Sequence, residues 1–127
     1  MKITKQISWI NGQWGSSNQL TIPLQDRGLN YADGIFETIL ISKGEAKLLS
    51  AHLQRWERSA IELGMDLPPK ESWLNPLIKE AIKRCCLEKD YGALRLNWSR
   101  GNNKHRGVDI TPNESKNEKN NQFWMDL

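Results

Sequence analysis

Residues that could do chemistry concentrate in two stretches of this chain. The first is Asp26-Arg27-Gly28-Leu29-Asn30-Tyr31-Ala32-Asp33-Gly34-Ile35-Phe36-Glu37-Thr38, and the second is His52-Leu53-Gln54-Arg55 followed by Ser59-Ala60. From Ile35 the residues alternate. Ile35, Glu37, Ile39 and Ile41 fall on one strand face, and Phe36, Thr38, Leu40 and Ser42 on the other. Glu37 therefore shares a face with three isoleucines. A carboxylate there must be paired, hydrogen-bonded or near solvent at the strand's start, because an unpaired buried charge is very costly. Arg55 offers an always-charged planar fork of donors, which suits phosphate oxygens. On one helix considered alone, an arginine paired with a neighbouring carboxylate is the commoner arrangement. His52 reads as a helix-packing or capping residue rather than a base. No His/Cys/Asp/Glu spacing supports a metal, and no Gly-rich phosphate loop is present. Nothing points to a Ser-His-Asp nucleophile, and no catalytic residue is assigned.

The elements that must position these groups are readable in outline. Ile7-Ser8-Trp9-Ile10, Asn11-Gly12 and Gln13-Trp14 read as an opening hairpin, since Asn-Gly suits a type I′ turn with positive φ at both central residues. Leu20 to Leu24 reads as a short extended piece, with Pro23 marking an edge or a strand end. The run from Asp26 to Gly34 reads as a loop feeding a strand from Ile35 to Ser42, which turns at Lys43-Gly44-Glu45. A helix should start near Ser50 as N-cap. Leu53, Trp56, Ala60 and Leu63 give it one apolar stripe, with Arg55 just off that face, and Gly64 ends it. A second helix should begin at about Ser72 or Pro76, with Asn75-Pro76 resembling a cap and first position, and reach Glu88. Its apolar face is Leu74, Leu77, Ile78, Ala81, Ile82 and Cys85, and Lys79, Lys83 and Arg84 point elsewhere. Ala93 to Ser99 alternates again, with Leu94, Leu96 and Trp98 opposite Arg95 and Asn97. That polar face fits a cleft and fits plain solvent equally well. Residues 111–121 are polar and read as a loop or disordered linker. They lead to the apolar ending Gln122-Phe123-Trp124-Met125-Asp126-Leu127, whose aromatics and strand edges would be exposed in a chain cut at that point.

Composition sets the bounds. The 127 residues suit one domain, and six tryptophans argue for a real core. Eighteen basic against fifteen acidic residues give a net charge of +3, which is no nucleic-acid footprint without a clustered basic face. Cys85 and Cys86 are neighbours, about 100° apart on a helix, and lack CxxC spacing. They read as reduced thiols of a cytoplasmic protein, with Cys85 in the core. The first six residues hold no secretory signal, and no apolar run approaches a membrane span.

The chemistry-bearing stretches resemble the class IV, fold-type IV pyridoxal-phosphate enzymes. These include branched-chain and D-amino-acid aminotransferases and 4-amino-4-deoxychorismate lyase. Four blocks match in order: Asn11-Gly12, the run from Asp26 to Thr38, Leu48-Leu49-Ser50-Ala51-His52-Leu53-Gln54-Arg55 with Ser59-Ala60, and Leu94-Arg95-Leu96 leading to Ser99-Arg100-Gly101 and Arg106-Gly107. They cover residues 7–107. The resemblance implies an α+β fold, a mainly antiparallel sheet packed with two helices, as in the small N-terminal domain of such an enzyme. It implies residues 1–110 as that domain and 111–127 as a polar linker opening a second domain, which in relatives holds the Schiff-base lysine. No lysine here stands in that context, so the chain alone should be inactive. Pyridoxal 5′-phosphate is the implied cofactor, with Arg55 on its phosphate. Tyr31, Phe36 and Arg106 are the implied substrate-binding residues, and Arg100 competes with Arg106. His105 and Val108 depart from the family's Gly-Arg-Gly-Tyr-like pattern around Arg106. The blocks from Leu48 and Ser99 favour the lyase, which eliminates pyruvate from aminodeoxychorismate to give 4-aminobenzoate for folate synthesis. An amino-acid aminotransferase is the alternative, and a non-catalytic interaction or dimerisation module is a third reading. The implied partners are a small-molecule amino substrate and a second subunit in a homodimer, with no nucleic acid and no membrane.

Overall fold

The computed structural model describes residues 5–102 and 121–127. The chain opens as the hairpin expected, β1 (Ser8–Ile10) and β2 (Gln13–Gly15). Asn11 and Gly12 take φ of 50° and 80°, the two positive values that a type I′ turn needs. The Leu20–Leu24 piece joins no strand. It crosses beside β1, where Leu20 and Ile22 line a shallow cavity with Ile10 and Trp124.

The stretch expected to be loop contains a short helix, α1 (Arg27–Tyr31). Asp26 caps it by accepting from the Gly28 amide, and Ala32 ends it in a left-handed conformation. A cap and a helix this short leave no apolar periodicity, so the sequence pattern shows only a turn. β3 (Gly34–Ser42) follows, then β4 (Glu45–Ala46), α2 (Leu49–Glu62), α3 (Glu71–Arg84), β5 (Tyr91–Ser99) and β6 (Gln122–Asp126).

Six antiparallel strands form one sheet in the order β2-β1-β6-β5-β3-β4. The expected α+β architecture is present, with a third, short helix added. One sheet face packs against α2 and α3. Ile39, Ile41, Leu94, Leu96, Phe123 and Met125 meet Leu53 and Trp56 of α2 and Leu74 and Ile78 of α3. The other face carries Phe36, Leu40 and Arg95 and is largely open.

Four details differ from the sequence reading. Leu48, not Ser50, precedes α2, with φ 55° and no side-chain cap, and Ser50 Oγ instead donates to Glu71 Oε1 at 2.7 Å. Leu63 is half exposed because the helix has ended and the chain turns toward Gly64, at φ 64°. Pro76 lies inside α3 rather than at its start. It forfeits the bond to the Ser72 carbonyl one turn back, and the buried face of Leu74, Ile78, Ala81 and Ile82 offsets that loss. Finally, the apolar ending leaves neither unpaired edges nor exposed aromatics. β6 is bonded on both sides, Phe123 is 7% exposed and Met125 1%.

Candidate functional site

Glu37 resolves its sequence conflict by pairing. It faces the helices, its side chain is 7% exposed, and two residues of α2 hold it. Arg55 Nε donates to both carboxylate oxygens at 3.1 Å, and Nη2 donates to Oε1 at 2.7 Å. His52 Nδ1 lies 2.7 Å from Oε1 and must be the donor, since a carboxylate only accepts. Burial pushes the Glu37 carboxyl up, but the hydrogen bonds and charges of Arg55 and His52 outweigh it, and the net shift is downward. Arg55 is raised in turn by its bonds to Glu37. Three residues on one helix turn apart (52, 55 and 56) dock α2 onto the start of β3, because Trp56 Nε1 also donates to the Ile35 carbonyl at 3.3 Å. The side chain of Arg55 is nevertheless 61% exposed, so it binds its carboxylate and still faces solvent.

Phe36 occupies the opposite face, as its place next to Glu37 on a strand requires. It is 54% exposed and lines a concavity of about 220 Å³ together with Gly28, Ala32, Arg95, Ser99 and Trp124. The Arg95 guanidinium lies over the Phe36 ring, 3.9 Å from its centroid, and its Nε donates to Asn97 Oδ1 at 2.8 Å. Asn97 is itself buried and donates to the Trp124 carbonyl. Arg95 is thus held by an aromatic ring and an amide, and its side chain is still exposed. The strand alternation placed Arg95 and Asn97 on one polar face but gave no role to either. Only the pairing of Phe36 with Asn97 across β3 and β5 reveals the stack.

The other expected residues separate. Tyr31 ends α1, partly exposed, with the Arg27 guanidinium 5.0 Å from its ring centroid. Arg100 is consumed by the fold. It donates to Asp33 Oδ2, to the Leu63 carbonyl and to the Gly64 carbonyl, and is 13% exposed. Arg27 shares the same Asp33 oxygen at 2.7 Å, and Asp26 accepts from Ser99 Oγ at 2.7 Å. Arg106 and His105 lie outside the described residues. Arg55 and Phe36 do not share a face. They flank the first half of β3 from opposite sides, and β4 pairs only with Ile41 and Ser42 beyond it.

No group of three or more His, Cys, Asp or Glu suited to a metal occurs among the described residues, and none of their helices is long and apolar enough to cross a membrane. Cys85 is buried, Cys86 exposed, and both are free thiols.

Comparison with known proteins places the domain. The amino-transferase class IV family matches residues 34–124, and the chain belongs to that family. It is 32% identical over 105 residues to the D-alanine aminotransferase of Bacillus licheniformis, covering 80% of this chain and 36% of that protein. It is 39% identical over 69 residues to the bifunctional aminodeoxychorismate lyase / D-amino acid transaminase of Mycobacterium tuberculosis, covering 54% of this chain and 24% of that protein. Among solved structures, a hypothetical aminotransferase from Mycobacterium tuberculosis in its PLP-bound form superimposes with a TM-score of 0.73 at 25% identity, covering 96% of this chain and 39% of that chain. The chain spans about a third of the length of the curated relatives it matches.

Proposed function

We propose that this chain is the small domain of a pyridoxal-phosphate-dependent class IV aminotransferase acting on a D-amino acid, completed by a second domain that brings the lysine carrying the cofactor. The observation that carries the reading is Arg55: an exposed side chain, anchored through Glu37, in a chain similar over most of its length to a D-alanine aminotransferase. The donor set suits a phosphate monoester, since a forked, permanently charged group meets phosphate oxygens in pairs. The bound cofactor supplies the electron sink for chemistry at the substrate's α-carbon. The residues of this chain bind and orient. Arg55 would hold the phosphate. On the other side of β3, Phe36 and Trp124 offer an apolar wall, and Arg95, exposed on that face, would attract the substrate's carboxylate. Tyr31 and Arg106 stay candidates for the same pocket. The active unit would be a homodimer.

The sequence alone put the lyase first, and the relatives favour the aminotransferase, because the D-alanine aminotransferases match more of this chain. The lyase remains the second reading on one observation, the 39% identity to a protein that carries both activities. Amino transfer from D-alanine to 2-oxoglutarate, read as D-glutamate formed, tests the first reading in the protein joined to its second domain. Release of 4-aminobenzoate from aminodeoxychorismate tests the second. Pyruvate is a poor readout, because both reactions yield it. The 127-residue chain by itself should turn over neither substrate with added cofactor, and turnover above cofactor alone would overturn the two-domain reading. Arg95→Gln should raise KM for the amino acid about tenfold with little change in kcat.

A further inference from the structure

Arg55 does not stand free. Two of its three guanidinium nitrogens, Nε and Nη2, are spent on Glu37, and these two define one edge of the planar group. Glu37 is fixed in turn, buried on the strand face it shares with Ile39 and Ile41 and held at Oε1 by His52. What remains of Arg55 is the other edge, Nη1 with the second hydrogen of Nη2, on a side chain that is 61% exposed. A free arginine on a helix surface samples many rotamers and loses that freedom on binding. This one is already oriented.

We infer that Glu37, braced by His52, is a positioning residue that holds the side edge of Arg55 so that its end edge is presented to a phosphate monoester. The inference rests on the reading of Arg55 as the phosphate-binding residue, and it has a consequence that simple charge does not. Glu37 puts a negative charge beside the site. If charge alone governed binding, neutralising Glu37 would tighten phosphate. If orientation governs it, neutralising Glu37 weakens phosphate, because the guanidinium loses its forked anchor.

The test uses the folded chain, ¹⁵N-labelled, with inorganic phosphate as probe and the Arg55 Nε–H resonance as readout. Glu37→Gln retains the side chain's shape and removes its charge. The expected result is a phosphate affinity about tenfold weaker than wild type, with the Arg55 Nε–H signal exchanging faster with water before any phosphate is added. His52→Gln, which leaves the Glu37–Arg55 pair but removes its brace, should show the same change to a smaller degree, and it carries the test if Glu37→Gln fails to fold. Unchanged or tighter phosphate binding in the folded variant overturns the inference. Arg55→Ala separates the two levels. If it abolishes the phosphate response while Glu37→Gln does not weaken it, Arg55 binds phosphate without needing its positioner. If Arg55→Ala leaves the response intact, or wild type shows none at millimolar phosphate, the reading of Arg55 itself fails and the inference with it.

Discussion

Glu37 shows what a single residue's pattern can and cannot disclose. Alternation put its carboxylate among isoleucines, so it needed a partner or water. The partners, His52 and Arg55, lie on another element, and no strand pattern could locate them. Their effect on Glu37 has a thermodynamic sign. Its folded-state pKa is depressed, so the pairing stabilises the fold fully above the ordinary glutamate value of about 4.3. That contribution is lost as pH falls from there through the depressed value. Wild type should therefore exceed Glu37→Gln in unfolding free energy at neutral pH, and the gap should close on acidification. Urea titrations of both proteins across that range check this, and a gap that does not change with pH would show that the carboxylate's charge is irrelevant to stability.

At the scale of elements, amphipathic helices and strands were legible because each carries its own period, and the buried faces of β3 and α3 fall where alternation and helical spacing put them. In β5, Leu94 and Leu96 are buried as expected, but Asn97 and Ser99 on the opposite face are buried too. Boundaries and short elements were not, because they depend on groups remote in sequence. The end of α2 illustrates this. Gly64 marks the stop locally, yet its terminal carbonyls, Leu63 and Gly64, are satisfied by Arg100 from the far end of β5. The same guanidinium holds Asp33 ahead of β3. Arg100 was a candidate for substrate in the sequence and is a clasp between three segments in the fold. Arg100→Met should lower stability by about 1 kcal/mol, since it removes one of the two guanidinium partners of the Asp33 carboxylate and the bonds to two helix-end carbonyls, which water can then reach. The loss should appear in the denaturation midpoint. Gly28→Ala should be costly for a related reason, because a Cβ there would sit 2.8 Å from Asp26 Oδ2 and 2.9 Å from Ser99 Cβ, within the cap of α1. If either variant melts like wild type, the clasp joining α1, α2 and β5 is not holding the fold.

For the whole molecule, the placement of the last strand decides most. Read along the sequence, Phe123 to Met125 is an apolar stub after a polar stretch, and exposure followed from that. Sequence order carries no information about sheet order, and here the last strand lies between β1 and β5. It joins the opening hairpin to the rest of the sheet. Phe123 packs with Trp9, Trp56 and Trp73, their ring centroids 5.7 to 6.1 Å from its own. Removing Gln122 to Leu127 would therefore not tidy an exposed end. It would unpair two strands and empty the centre of the aromatic cluster. Losing two core side chains of this size costs about 2–5 kcal/mol each. Together with the ladder bonds on both edges, that approaches the 5–15 kcal/mol by which typical domains are stable. Residues 1–121 alone should therefore lack a cooperative thermal transition and the near-ultraviolet signal of packed tryptophans. A sharp melt close to that of the intact chain would mean that β1 and β5 close without β6, and that the sheet order described above is wrong.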